Sequence, residues 1–180
     1  MTGTIDVATD AQRYPLGRFE RQAVFSAEQR AEHIARIAAQ PANLAASMSG
    51  FDAADFAAVY RPGGWTVRQL VHHMADSHAN AYIRVKLALT EHEPTIKPYD
   101  QDAWVALADN DLVSPLVSLT MFTAIHERLV AVLQSLEPVH FARALVHPET
   151  GPMTIDQLVA LYAWHGDHHV QHIRRYRESR

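Results

Sequence analysis

The sequence predicts an all-α fold, a four-helix bundle with crossover connections. The 180 residues are 48% apolar and 20% charged, enough for one domain, 1–180, with a sizeable core. Apolar residues recur at amphipathic-helix spacing in four long segments, 27–49, 67–90, 115–136 and 155–176. The connections over 91–113 and 137–153 are longer than an up-and-down bundle needs, so we expect crossovers.

The first half of the chain contains two of these helices. Residues 1–25 have few periodic apolar positions, and we expect an irregular lead-in that packs across the domain. Ser26 is the predicted N-cap of the first long helix, where Pro41 predicts either a kink or a division into two helices. Residues 52–58 predict a short helical turn. Residues 66–69 form a capping box, Thr-Val-Arg-Gln, that begins the second long helix.

The second half of the chain contains the other two long helices. Residues 99–104 predict a short helix and 109–111 a turn. The Ser-Pro pair at 114–115 is typical of an N-cap followed by proline in the first helical position. Residues 141–152 predict a short extended pair around a His-Pro-Glu-Thr-Gly-Pro turn. A second capping box, at 154–157, begins the last helix.

Composition excludes several classes of protein. The net charge of −4 and the pI near 6.3 argue against non-specific nucleic-acid binding. There is no uninterrupted apolar run long enough for a membrane span, and residues 1–6 lack the pattern of a signal peptide. Cysteine is absent, which excludes disulfides and thiolate ligands and fits an expected cytoplasmic location. The unusual number is 12 histidines.

Two histidine clusters on different helices are the candidate functional residues. His165 and His169 are four residues apart, so they share one face of the last helix. Helical geometry places His73 on the flank of the core-facing stripe of the second helix, with His72 nearly opposite the core. The same geometry points His168 well away from the stripe. It therefore selects three histidines that can meet at the edge of the core.

These histidines have two interpretations. Each is a hydrogen-bonded core residue, or His73, His165 and His169 together bind a divalent metal with open positions for water or substrate. Clustered buried imidazoles need many partners, and one ion satisfies several of them, which favours the metal. His172 is either a supporting group or a fourth ligand, and we expect His78 in the core or at a dimer face.

The combined motifs resemble the YfiT-like branch of the DinB superfamily over nearly the whole chain. The matching stretches are 14–17, 60–69, 72–73, 75–78, 82–84, 96–100, 126–128, 147–148, 162–165, 168–169 and 172–173. This resemblance implies a four-helix bundle, usually dimeric. It also implies a divalent metal held by His73, His165 and His169, the same three residues that helical geometry selects. Members are described as metal-dependent hydrolases, and others are similar to S-transferases that use bacillithiol or a related thiol.

The residues leave three functions open. Residue 166 is Gly, so the general base of the HExxH proteases is missing, which favours a thiol S-transferase whose thiol is a co-substrate. A hydrolase using metal-bound water is the alternative, and a non-catalytic bundle with a structural metal is the third. The catalytic base is unassigned. Asp76 is the candidate, either at the site edge or orienting an imidazole, whereas Asp167 is expected to be solvated.

Substrate and metal are the least specified by the sequence. Arg84, Arg61 and Tyr99 are candidate substrate-binding residues, with surface ion pairing or capping as the alternative for each arginine. We expect one divalent ion per chain, zinc or nickel first and iron or manganese as alternatives. The expected partners are a small-molecule thiol, an electrophile, or both, and a second copy of the chain in a homodimer. No nucleic acid or membrane is expected.

Overall fold

Four long helices and several short elements make up the chain. The computed structural model describes residues 7–180, so residues 1–6 of the predicted lead-in lie outside the described residues. The helices are α1 (Asp10–Arg13), α2 (Ala27–Ser47), α3 (Ala53–Ala57), α4 (Val67–Thr90), α5 (Gln101–Val105), α6 (Asp109–Leu112), α7 (Pro115–Gln134) and α8 (Ile155–Ser179). A 3₁₀ turn spans Pro138–Ala142, and an antiparallel hairpin joins β1 (Ala144–His147) to β2 (Gly151–Thr154).

The predicted helix starts are confirmed by their capping contacts. In α4, Thr66 Oγ1 accepts a hydrogen bond from the Gln69 backbone N–H at 3.2 Å, and Gln69 Oε1 accepts one from the Thr66 N–H at 3.0 Å. Thr154 and Gln157 form the same reciprocal pair at α8. These contacts satisfy backbone donors that a helix leaves free at its first turn.

Two local predictions are corrected. The lead-in is not wholly irregular, because Thr9 and Gln12 form a capping box that begins the one-turn helix α1. The predicted turn at 109–111 is also a single helical turn, α6. Of the two alternatives for Pro41, the division into two helices is excluded, because α2 is one continuous helix of 21 residues.

The long helices form a bundle with two diagonal connections, over 48–66 and 137–153. The sequence predicts a crossover over the second of these, whereas its other predicted crossover, over 91–113, joins α4 to α7, which pack against each other. Helix α2 packs against α7 and α8, and α4 packs against the same two helices. Consecutive helices α2 and α4 are therefore diagonal, and so are α7 and α8. This topology places α4 beside α8, which puts both histidine clusters in one interface.

Helix α7 is the most apolar of the long helices. Within residues 7–180 it is the one helix whose length and composition would allow it to span a membrane. In this structure it packs against α2 and α4 as part of the bundle. Phe122, Leu129 and Leu133 are its largest buried side chains.

Candidate metal centre

Three histidines meet where α4 lies against α8. His73 Nε2 is 3.4 Å from His165 Nε2, and His169 Nε2 is 3.2 Å from the same atom. One ring nitrogen from each of the three lies within 4.8 Å of the others. The i, i+4 spacing on α8 and the crossover topology produce this convergence, because they place two turns of α8 opposite one turn of α4.

The three imidazoles are neutral at ordinary pH. Burial lowers the pKa of His73 from 6.5 to about 4. Burial also holds the pKa values of His165 and His169 well below 6.5, and the neighbouring histidines lower them further. Neutral imidazole is the form that binds a metal ion, so the converging nitrogens fit a divalent cation. His169 Nδ1 is buried without a hydrogen-bond partner among the described residues.

Two further histidines are buried, contrary to the prediction from helical geometry. His72 is only 5% exposed, and its Nδ1 is 2.7 Å from the Ser118 hydroxyl. His168 is 6% exposed, and its ring stacks on Trp164 at 4.5 Å. The prediction assumed one buried stripe per helix. Short elements and the lead-in, which sequence periodicity does not reveal, cover additional faces of α4 and α8.

A cleft of about 390 Å³ opens beside two of the three converging histidines. Its lining comes from the lead-in, the loop before α4, and helices α4, α5 and α8: Arg13, Tyr14, Tyr60, Arg61, Gly63, Gly64, Trp65, His73, Gln101, Asp102, His168, His169 and His172. The cleft therefore carries two arginines and one carboxylate beside the imidazoles. A larger groove of about 540 Å³ lies between α2 and α7, away from these three histidines, so the smaller cleft is the candidate site.

Aromatic rings form the walls of the cleft. The Trp65 ring lies 4.8 Å from the His73 ring, and its indole N–H donates to Asp102 at 3.1 Å. The Tyr60 ring lies 4.7 Å from His172. These contacts hold the rim in place and shield the imidazoles from bulk water.

His172 lies beside the cluster and contacts the lead-in. Its Nε2 donates to the Gln12 carbonyl at 3.1 Å, so this nitrogen does not face His73 and His165. His168, His169 and His172 form a second close group of ring nitrogens. The pKa of His172 is lowered to about 4, chiefly by burial and in part by the Arg61 charge. This contact is the arrangement expected of a supporting residue.

The remaining predicted site residues lie in different places. Arg61 lines the cleft, whereas Asp76, Arg84 and Tyr99 do not. Arg84 donates to the Tyr162 hydroxyl at 3.1 Å. The Tyr99 ring packs against the Trp104 ring with the centroids 4.4 Å apart and the planes tilted by 38°. The pKa of Asp76 is raised to about 6 by burial and by the charge of Asp109.

Sequence reasoning missed most of the cleft lining, including three polar residues, and misplaced one acid. Arg13, Gln101 and Asp102 line the cleft, but they belong to one-turn helices whose tertiary position no periodicity encodes. The pairing of Asp102 with Trp65 likewise leaves no trace in the sequence. The sequence predicts that Asp167 is solvated, but its carboxylate accepts a hydrogen bond from Arg36 Nε at 2.8 Å across the α2–α8 interface.

The architecture and the cluster define a class: a four-helix bundle with crossover connections and a three-histidine centre between two helices. The sequence profile of the DinB superfamily matches residues 36–173. The chain belongs to the DinB superfamily.

Relatives and a solved structure agree with this assignment. The chain is 45% identical over 166 residues to a "Putative metal-dependent hydrolase" from Bacillus mycoides strain KBAB4, covering 92% of this chain and 95% of that protein. It is 42% identical over 163 residues to one from Oceanobacillus iheyensis, covering 90% and 94%. The structure of YfiT from Bacillus subtilis, described as "a probable metal-dependent hydrolase with an unusual four-helix bundle topology", superposes with a TM-score of 0.91 at 39% identity, covering 94% and 97%.

Proposed function

We propose that this protein is a metal-dependent thiol S-transferase that holds one divalent ion, zinc or nickel, at His73, His165 and His169. The observation that carries the proposal is the convergence of three neutral imidazoles next to a cleft with a cationic rim. A divalent cation bound there supplies Lewis acidity, which lowers the pKa of a thiol or water entering the open position. The names given to the relatives support the metal dependence.

The arginines of the cleft favour an anionic thiol. Arg61 lines the cleft, and its Nε has no hydrogen-bond partner among the described residues. Arg13 lies on the lead-in at the same cleft. Guanidinium groups bind carboxylates through paired, charge-assisted hydrogen bonds. Together they would orient a carboxylate-bearing thiol, such as bacillithiol, with its sulfur toward the imidazoles.

The protein's other residues complete the site. Trp65 and Tyr60 form an aromatic wall that limits water access and offers a surface to an apolar electrophile. Asp102 is the one carboxylate among the lining side chains, and it accepts the Trp65 indole N–H. In the reaction a carbon–sulfur bond forms, the leaving group departs from carbon with its electron pair, and the thiol proton passes to solvent.

Asp102 also supports the alternative, a metal-dependent hydrolase. A hydrolase needs a base for the attacking water, and residue 166 is Gly where the HExxH proteases have Glu. Asp102 lies in the cleft, and the relatives bear the name hydrolase. An Asp102→Asn variant separates the two functions. Ester hydrolysis by a hydrolase would fall by about 100-fold or more without its general base, whereas thiol transfer depends chiefly on the ion and the arginines.

The deciding assay follows alkylation of a thiol by monochlorobimane, whose chloride leaves as the carbon–sulfur bond forms. Untagged protein is loaded with Zn²⁺ or Ni²⁺ and assayed with 3-mercaptopropionate, 2-mercaptoethanol or bacillithiol. We expect turnover that requires both metal and thiol and that is faster with carboxylate-bearing thiols. Hydrolysis of p-nitrophenyl acetate without thiol, combined with no thiol transfer, would establish the hydrolase. A metal that raises stability but gives no turnover in either assay would mean a structural ion.

We also propose that the chain forms a homodimer through α4 and α7. Leu116, Val117 and Met121 of α7 are 54%, 57% and 41% exposed, and Ile83 of α4 is 54% exposed. Large apolar side chains at this level of exposure favour a partner surface. Light scattering coupled to size exclusion should give twice the chain mass, and a Val117→Glu variant should give the monomer mass. A monomeric wild type at working concentration would contradict the proposal.

A further inference from the structure

A row of hydrogen-bonded imidazoles leads from the candidate metal centre into the core. His165 Nδ1 lies 3.2 Å from His78 Nε2, and His78 Nδ1 lies 2.9 Å from His126 Nε2. The row ends where His126 Nδ1 lies 2.8 Å from the carbonyl oxygen of Ile37. The four residues belong to α8, α4, α7 and α2, so the row crosses the bundle and touches every long helix.

The final carbonyl fixes the direction of every hydrogen bond in the row. A carbonyl oxygen only accepts, so His126 carries its proton on Nδ1. A neutral His126 then accepts at Nε2, which requires His78 to donate from Nδ1. His78 in turn accepts at Nε2 from the Nδ1–H of His165. This assignment leaves the Nε2 of His165 with a free lone pair, directed at His73 and His169.

The surroundings of the row exclude other directions. His78 and His126 are 0% and 1% exposed, and Phe122 packs against both rings at 4.8 and 4.0 Å. Both rings are buried with only imidazoles and a carbonyl as hydrogen-bond partners and no carboxylate, which is the setting of neutral imidazoles. A neutral imidazole has one donor and one acceptor, and both are used at each position. The row is fully satisfied in one tautomeric state.

We propose that His78 and His126 are positioning residues for His165. Because the row ends on the Ile37 carbonyl acceptor, it holds His165 in the Nδ1–H tautomer, which leaves the Nε2 of His165 free to bind the metal. The inference rests on the metal centre of the proposed function. Metal-binding histidines commonly donate their other N–H to a carboxylate, a carbonyl or water. Here His165 reaches a carbonyl through two intermediate imidazoles. His169 has no such support, since its Nδ1 lacks a partner among the described residues.

The first experiment reads the tautomers directly in the wild-type, metal-free protein. Long-range ¹H–¹⁵N spectra of protein labelled with ¹⁵N-histidine distinguish Nδ1–H from Nε2–H rings. Single histidine substitutions assign the signals. We expect the Nδ1–H form at His126, His78 and His165. A predominant Nε2–H form at His165 in the wild-type protein would overturn the inference.

The second experiment compares His126→Gln with His126→Leu. The Gln carbonyl replaces Nε2 as the acceptor for His78, whereas Leu has no acceptor. We expect wild-type Zn²⁺ affinity in His126→Gln and a loss of about 10- to 100-fold in His126→Leu, measured by chelator competition. The visible absorption of the Co²⁺-loaded proteins should change only in His126→Leu. Equal affinities and spectra in both variants would overturn the positioning role.

The two proposals can fail separately. If the wild type binds metal but has His165 as Nε2–H, the proposed function stands and the positioning role of His78 and His126 is wrong. A wild type with the Nδ1–H pattern that binds no divalent ion, tested with Zn²⁺ and Ni²⁺, loses the proposed function and with it the ligand role of His165. Circular dichroism and thermal unfolding of the metal-free variants distinguish loss of the imidazole row from loss of the fold.

Discussion

Gln40 of α2 occupies the space that a side chain at Gly166 of α8 would need. A Cβ atom at residue 166 would lie 2.2 Å from Gln40 Cδ. The Gln40 amide donates to the carbonyl of Ala163 at 2.9 Å, which holds the two helices at close range. While Gln40 keeps this position, the α2–α8 interface has no room for a side chain at residue 166, a glutamate included.

Gly166→Ala should therefore destabilise the protein by about 1–3 kcal/mol, the usual cost of overpacking a core. Helix propensity alone predicts the opposite sign, since alanine is favoured over glycine by about 1 kcal/mol within a helix. Urea denaturation measures the difference. In a Gln40→Ala background the space is free, and Gly166→Ala should become neutral or stabilising. A stabilising effect in the wild-type background would contradict the close contact.

Metal content should follow the three converging histidines and no exposed one. Untagged protein should contain near one divalent ion per chain by elemental analysis, and His73→Ala, His165→Ala and His169→Ala should each lose it. His92→Ala is the matched control, because His92 is exposed on the loop after α4. Chelation should lower the melting temperature, since an ion at about 100 times its Kd stabilises the fold by about 2.7 kcal/mol. Full metal content in all three variants would exclude the site.

Arg61→Ala should raise KM for 3-mercaptopropionate about tenfold and leave KM for 2-mercaptoethanol unchanged. A hydrogen bond to a charged group contributes about 1.5–3 kcal/mol, and only the first thiol has a carboxylate to receive it. Arg174→Ala is the control, because Arg174 is exposed on α8 outside the cleft. Equal effects of Arg61→Ala on both thiols would mean that this arginine has a structural role.

The metal-free protein should lose stability as pH falls below about 6.5. Burial lowers the pKa of His73 and His126 from 6.5 to about 4, so between these values the unfolded chain takes up protons that the folded protein does not. Each such histidine lowers the free energy of unfolding by about 1.4 kcal/mol per pH unit in this window. Above pH 6.5 the contribution is fully present. Denaturation from pH 4 to 8 measures the slope, which should be shallower in His126→Gln; a flat profile would contradict neutral burial.

Local chemistry made the helices predictable. Thr66 with Gln69, Thr154 with Gln157, and Ser114 before Pro115 each use a short contact that the sequence displays directly, and each begins a helix where expected. The three converging histidines were also predictable, because they depend on helical spacing and on one helix pairing.

Features that depend on several elements were not predictable. The burial of His72 and His168 comes from short helices and the lead-in covering a second face of each long helix. The imidazole row needs four helices in the correct order, and the role of Gln40 depends on a glycine 126 positions away in the printed chain. Periodicity describes one helix at a time, so such contacts lie beyond it.

The packing of α4 against α8 has a consequence for the order of folding. His73 and His165 are 92 residues apart in the chain, so their contact closes a loop of half the protein. Closing such a loop is entropically costly and comes after local helices have formed. Before that loop closes, the chain thus presents His73 of α4 and the His165–His169 pair of α8 separately to the ions around it. Selection of an ion by the proposed centre would therefore take place in the nearly finished bundle, whose fixed geometry discriminates among metals better than a flexible chain does.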